Sequence, residues 1–200
     1  DNVNRNYDNG SNTQSFLVCP LTASCSASPA LCFGGSTGSM TVTTNGGRAP
    51  FTYSWAGGVA GNVATATGLA AGSYTVTIID ASMQTATATC TVTQPTQLQA
   101  SALVNGNILC NGGTTTVTIS AEGGTAPYNG IGTFTVVAGN HTFIVTDANG
   151  CQQDVTVTIE EPTALVAEIL AGQILCNGGS TDVVVSATGG TAPYNGTGTF

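Results

Sequence analysis

The sequence has no lysine, and its only basic residues are Arg5 and Arg48. A chain that displaces counterions from a nucleic acid needs several cations, so nucleic-acid binding is excluded as a function class. The missing amine also rules out the lysine–asparagine isopeptide bonds that staple many surface adhesins. Charged residues make up 6% of the 200 and the net charge is −8, so whatever solvates this protein is not charge. His141 is the only histidine, which leaves little for nucleophile activation or for a zinc site. No run of eighteen apolar residues occurs, so these 200 residues offer no membrane-spanning helix. No stretch carries a helical period, and no signal peptide heads the sequence.

What is present is a repeat. Cys110-Asn111-Gly112-Gly113, then Val117 and Ile119, then Gly123-Gly124-Thr125-Ala126-Pro127-Tyr128, returns as Cys176-Asn177-Gly178-Gly179, Val183, Val185 and Gly189-Gly190-Thr191-Ala192-Pro193-Tyr194. Cysteine to cysteine is 176 − 110 = 66 residues. A looser copy runs from Cys32-Phe33-Gly34-Gly35 to Gly46-Gly47-Arg48-Ala49-Pro50-Phe51, 110 − 32 = 78 residues earlier. Such a period means tandem small domains rather than one large enzyme domain. Units this small bury little surface, and a covalent staple is expected to supply part of their stability.

The boundaries read as 1–19, the end of a preceding repeat or a linker; 20–94, the first repeat; 95–161, the second; and 162–200, a truncated third. Asp8-Asn9-Gly10 followed by Phe16-Leu17-Val18 resembles the repeat end at Asp147-Ala148-Asn149-Gly150 and Val155-Thr156-Val157-Thr158-Ile159. In the first repeat Met40–Thr43, Phe51–Trp55, Tyr74–Ile78 and Thr85–Thr93 alternate as half-buried strands. Leu98, Ala100 and Ala102 mark the first strand of the second repeat, and His141–Asp147 and Asp154–Ile159 its last two. Between Pro127 and Gly139 the second repeat has eleven residues where the first has twenty-one between Pro50 and Gly72, so it is expected to lack about one hairpin. Short alternating strands with Gly and Pro turns predict an all-β fold of tandem, Ig-like antiparallel sandwiches whose outer faces are Thr, Ser and Asn.

Seven cysteines point to an oxidising compartment and hence an extracellular location. Cys110 precedes the second strand of its repeat and Cys151 begins the last, which suggests a bridge closing 151 − 110 = 41 residues. In the first repeat Gln84 stands where Cys151 would, and Cys90 follows on the inward face. A Cys32–Cys90 bridge is expected there, with Cys25 as competitor. Cys19 and Cys25 are open to each other or to a preceding unit, and Cys176 is expected to pair with a cysteine beyond Phe200. No Cys-x-x-Cys occurs for zinc.

These motifs, with Gly68-Leu69-Ala70-Ala71-Gly72-Ser73-Tyr74-Thr75-Val76-Thr77, Asp147-Ala148-Asn149-Gly150-Cys151 and Pro162-Thr163-Ala164-Leu165, resemble the SprB repeat over about residues 20–200. The resemblance implies a very long surface adhesin of gliding Bacteroidota, exported by the type IX secretion system. Departures are Gln84 for the second cysteine, His141 for Tyr74, and the shortened middle of the second and third repeats.

No enzyme is expected, and His141 reads as a strand or corner residue. Calcium is the alternative for a ligand, with Asp147, Asn149, Glu160 and Glu161 as candidate oxygens, although Asp-Ala-Asn-Gly also reads as a plain turn. Tyr53 and Trp55 share a face with Phe51, which favours core packing over a sugar platform. Asn9-Gly10-Ser11, Asn140-His141-Thr142 and Asn195-Gly196-Thr197 fit the glycosylation pattern but read as incidental, since Asn-Gly turns followed by Ser or Thr generate it by chance. The expected role is a disulfide-stapled stalk of a filamentous cell-surface adhesin. Its partners are neighbouring repeats, other filaments or surface polysaccharide. Two alternatives are a polymerised fibre completed by strand exchange and a carbohydrate-binding module.

Overall fold

The structure is a computed structural model that describes residues 19–57, 59 and 61–200, so the expected repeat end at residues 1–19 lies, Cys19 apart, outside the described residues. The protein is all-β, built from small Ig-like antiparallel sandwiches. The chain divides between Gln97 and Leu98 into two compact units. Among the described residues no helix is long and apolar enough to cross a membrane.

In the N-terminal unit the strands are β1 (Thr22–Ser28), β2 (Gly38–Asn45), β3 (Thr52–Trp55), β4 (Thr65–Leu69), β5 (Gly72–Ile79) and β6 (Thr85–Val92). They form two antiparallel sheets, β1-β2-β4 and β3-β5-β6. Alternation decides what is inside. Met40 and Val42 of β2 are buried while Thr41 and Thr43 face solvent, and Val76 and Ile78 of β5 are fully buried. Phe51, Tyr53 and Trp55 pack on the core from one face of the β3 segment, and the Trp55 indole N–H donates to the Val63 carbonyl (2.9 Å).

The second repeat contributes β7 (Gln99–Val104), β8 (Thr115–Glu122), β9 (Gly132–Val136), β10 (Gly139–Thr146) and β11 (Gln152–Ile159). One sheet is β7-β8-β9, and the β10-β11 hairpin covers it across a core of Leu98, Ile108, Val117, Ile119, Val136, Val145 and Ile159. The shortened middle costs the second repeat one strand, less than the hairpin its length suggested. The counterpart of β4 survives as β9, paired to β8 as β4 is to β2, while β3 shrinks to a single bridge, Asn129 to Thr146. Eleven residues suffice to cross between the sheets and lay one strand, but not two.

The third repeat shows only the first of these sheets, β12 (Val166–Ala171), β13 (Val183–Thr188) and β14 (Gly198–Thr199). Leu98 and Ile108 are 5% exposed in the second repeat, whereas their counterparts Leu165 and Ile174 are 63% and 59% exposed.

The outer faces answer the shortage of charge. Thr75 and Thr89 share a cross-strand hydroxyl bond (2.9 Å), as do Ser73 and Thr91 (3.0 Å), Ser101 and Ser120 (2.8 Å), Thr118 and Thr133 (3.1 Å) and Thr142 and Thr156 (3.2 Å). These pairs are the uncharged equivalent of cross-strand ion pairs.

Candidate functional site

Each repeat has two poles. β8 begins beside the Cys110–Gly113 loop and ends at the Gly123–Tyr128 corner, and an eight-residue strand spans about 26 Å. The loop pole and the corner pole are therefore at opposite ends of the sandwich.

The corner is built around a buried aspartate. Asp147 is 3% exposed, and its carboxylate accepts from the backbone N–H groups of Thr125, Asn149 and Cys151, each at 2.9 Å. Asp80 does the same for Arg48 (2.9 Å), Ser82 (2.8 Å) and Gln84 (2.8 Å). Ala148 and Ala81 return the contact, donating to the Thr125 and Arg48 carbonyls. Burial alone would raise both carboxyl pKa values. The converging backbone donors outweigh it and hold each below the ordinary 3.8. The second glycine of each corner must be glycine: Gly124 has φ +58, and a Cβ there would lie 2.7 Å from the Asp147 carboxylate. Tyr128 closes the corner by donating its hydroxyl to the Gly123 carbonyl (2.6 Å), and Tyr194 does so to Gly189.

At the loop pole, Cys-x-Gly-Gly forms the same tight turn three times, with Gly35, Gly113 and Gly179 each donating to the cysteine carbonyl three residues earlier, all at 3.0 Å. The residue before the junction proline clamps that turn. Glu161 accepts from the Gly112 N–H (2.6 Å) and the Asn111 side chain (3.2 Å), and Gln94 accepts from the Gly34 N–H (2.8 Å). Within the C-terminal unit the second loop also reaches the third repeat: the Asn111 side chain donates to the Pro162 carbonyl (3.1 Å), and the Thr191 hydroxyl of the third corner donates to the Leu109 carbonyl (3.0 Å).

The poles correct the expected disulfides. Cys90 is bonded to Cys25, not to Cys32, with a Cα–Cα distance of 6.1 Å across the two sheets. Cys25 points inward from β1, while Cys32 sits in the loop. Cys110 is free and exposed, so the expected Cys110–Cys151 pair does not form. The strand length separating loop from corner is far beyond the Cα–Cα reach of a disulfide, about 7 Å. Cys32 and Cys151 are also disulfide-bonded, whereas Cys19 and Cys176 are free and exposed.

The calcium candidates do not converge. Asp147 and Glu161 direct their oxygens at N–H donors, the Asn149 side chain donates to the Thr125 hydroxyl (3.0 Å), and Glu160 is exposed. Among the described residues no three His, Cys, Asp or Glu side chains form a metal-binding group. His141 takes over the role of Tyr74: its Nε2 meets the Val137 carbonyl at 2.9 Å, as the Tyr74 hydroxyl meets that of Ala70 at 3.0 Å. Asn140 and Asn195 of the two described glycosylation patterns are exposed.

Residues 24–60 match the SprB repeat. No curated protein matches the chain. Among solved structures, the tetra-tandem repeat in the extending region of a large adhesion protein is similar at 13% identity with a TM-score of 0.27. The similarity covers 91% of this chain and 65% of that one, so this chain spans about two thirds of its length.

Proposed function

We propose, starting from the SprB-repeat match of residues 24–60, that this chain is a stalk segment of a long cell-surface adhesin. The stalk holds an adhesive region away from an extracellular surface and serves attachment or gliding motility. The observation that carries this reading is the joint between the second and third repeats, where the corner of one rests on the loop of the preceding one through Thr191 and Leu109. A joint of this kind lets an array lengthen by adding copies, without a new interface each time. Export by type IX secretion and a Bacteroidota source follow from the same family reading. Immunogold labelling of source cells with antibody to this chain tests it: label along surface filaments is expected, and label confined to the cell interior would overturn it.

A second reading is favoured by one observation. Apolar side chains of the third repeat whose counterparts Leu98, Ala102 and Ile108 pack in the second core are exposed, with Leu165 at 63%, Ile169 at 72% and Ile174 at 59%. A hairpin from another chain would cover them in a polymerised fibre. Intact mass of the native polypeptide separates the two, since a stalk requires a parent far longer than 200 residues. A carbohydrate-binding module loses its platform, because Tyr53 and Trp55 pack against the core. No catalytic role is assigned to His141.

A further inference from the structure

We propose that the joint between the second and third repeats is covalent: Cys110, the loop cysteine of the second repeat, bonds the turn cysteine of the repeat that begins at Pro162. The proposal rests on the stalk reading and adds to it a covalent joint.

Three observations converge. First, loop and turn cannot pair within a repeat, because they occupy opposite poles; Cys110 is free while Cys151, the turn cysteine of the same repeat, is disulfide-bonded. A turn cysteine at this position is thus bonded, and its partner is not its own loop. Second, the corner fixes where a turn cysteine sits. In the second repeat Thr125 holds the turn through its N–H, carbonyl and hydroxyl, to Asp147 (2.9 Å), Ala148 (2.8 Å) and Asn149 (3.0 Å), and the Asp147 carboxylate then receives the Cys151 N–H (2.9 Å). Whatever turn packs on the third corner therefore brings its cysteine beside Thr191. Third, the Thr191 hydroxyl is bonded to the carbonyl of Leu109, the residue before Cys110. Corner and loop thus meet at the residue next to the exposed thiol, so the turn cysteine and Cys110 arrive within reach of a disulfide.

The partner is the cysteine of an Asp-x-x-Gly-Cys turn in the chain following Phe200, as Cys151 follows Asp147. The bond forms by exchange with a disulfide donor, either a protein disulfide or a small-molecule one. The Cys110 thiolate attacks the donor and expels one donor thiolate, giving a mixed disulfide. The turn thiolate then attacks the Cys110 sulfur and expels the second donor thiolate. Two protein thiols lose two protons and two electrons, and one donor disulfide becomes two thiols. The consequence is mechanical: tension along the array passes from repeat to repeat through a covalent bond as well as through the proline-containing link.

The test uses the native parent protein, alkylated with iodoacetamide under denaturing conditions without reductant, digested with elastase and mapped by mass spectrometry alongside intact mass. The expected result is a Cys110 peptide joined to an Asp-x-x-Gly-Cys peptide from beyond Phe200, separating on reduction. Cys110→Ser in the parent should leave that turn cysteine alkylated. A long parent with Cys110 alkylated, or joined to Cys19, Cys151 or Cys176, overturns the cross-link alone. A parent no longer than 200 residues overturns the stalk reading and the cross-link with it.

Discussion

Replacing Cys25 by alanine and Cys90 by valine should cost the N-terminal unit about 4 kcal/mol, nearly all of it through the unfolded state. The bridge joins residues 65 apart, and cross-linking a loop of that length removes about 4 kcal/mol of chain entropy from the denatured ensemble. The second repeat shows why the folded state should tolerate the change. Cys25 corresponds to Ala102 and Cys90 to Val157, and both of those pack against the second core. The double variant therefore keeps an apolar pair where nature already uses one, and it leaves the bonded Cys32 untouched, as added reductant would not. Trp55 is the only tryptophan and packs in the N-terminal unit, so its emission during urea unfolding follows that unit alone. With a slope of about 1.5 kcal/mol per molar urea, the midpoint should fall by roughly 2–3 M. A fall below about 0.5 M would refute the reasoning, since it would mean the bridge contributes under about 1 kcal/mol.

Other outcomes follow from the poles. Asp80 and Asp147 have depressed pKa values in the folded protein, so the stability they contribute is complete above the ordinary 3.8 and is lost as pH falls through their lower folded values. Circular dichroism should stay flat down to about pH 4 and report loss of structure below it, and Asp147→Asn should remove part of that acid dependence. Glu161→Ala should raise hydrogen exchange of the Gly112 amide by about tenfold or more, while Glu161→Gln should preserve protection, as Gln94 does for Gly34. Trypsin should spare the folded chain at Arg48, whose N–H is held by Asp80 (2.9 Å) and whose carbonyl is held by Ala81 (2.9 Å). Cleavage there within minutes, at a rate matching the unfolded chain, would show the corner to be open.

Much of the fold was legible in the sequence because alternation is a local signal. Met40 with Val42 and Val117 with Ile119 are buried on the strands their spacing predicts, and the glycine pairs fall at corners with positive φ. β1 was harder to read. Its inward residues are Ala23 and Cys25, too small to mark a strand by hydrophobic contrast. The cysteines misled for a different reason. Loop and turn are close enough in sequence to suggest a bridge, yet β8 runs its full length between them, and only the direction of that strand reveals the separation. A usable signal did exist in the comparison of copies, since Cys25 and Cys90 both align with apolar residues, Ala102 and Val157, which marks them as a pair inside one core. Glu161 carried a similar hint. A neutral glutamine stands in its place as Gln94, so the position calls for a hydrogen-bond acceptor rather than a cation ligand. Nothing local identifies Asp147 as more than a turn residue, because its task is to gather amides from two separate segments.

The most direct test of the account is electron microscopy of the native filament with averaging along its length. A strand of about 26 Å plus a short link gives an expected axial period of roughly 30–40 Å, one bead per repeat, in a thread many repeats long. A compact particle without that period would contradict the stalk.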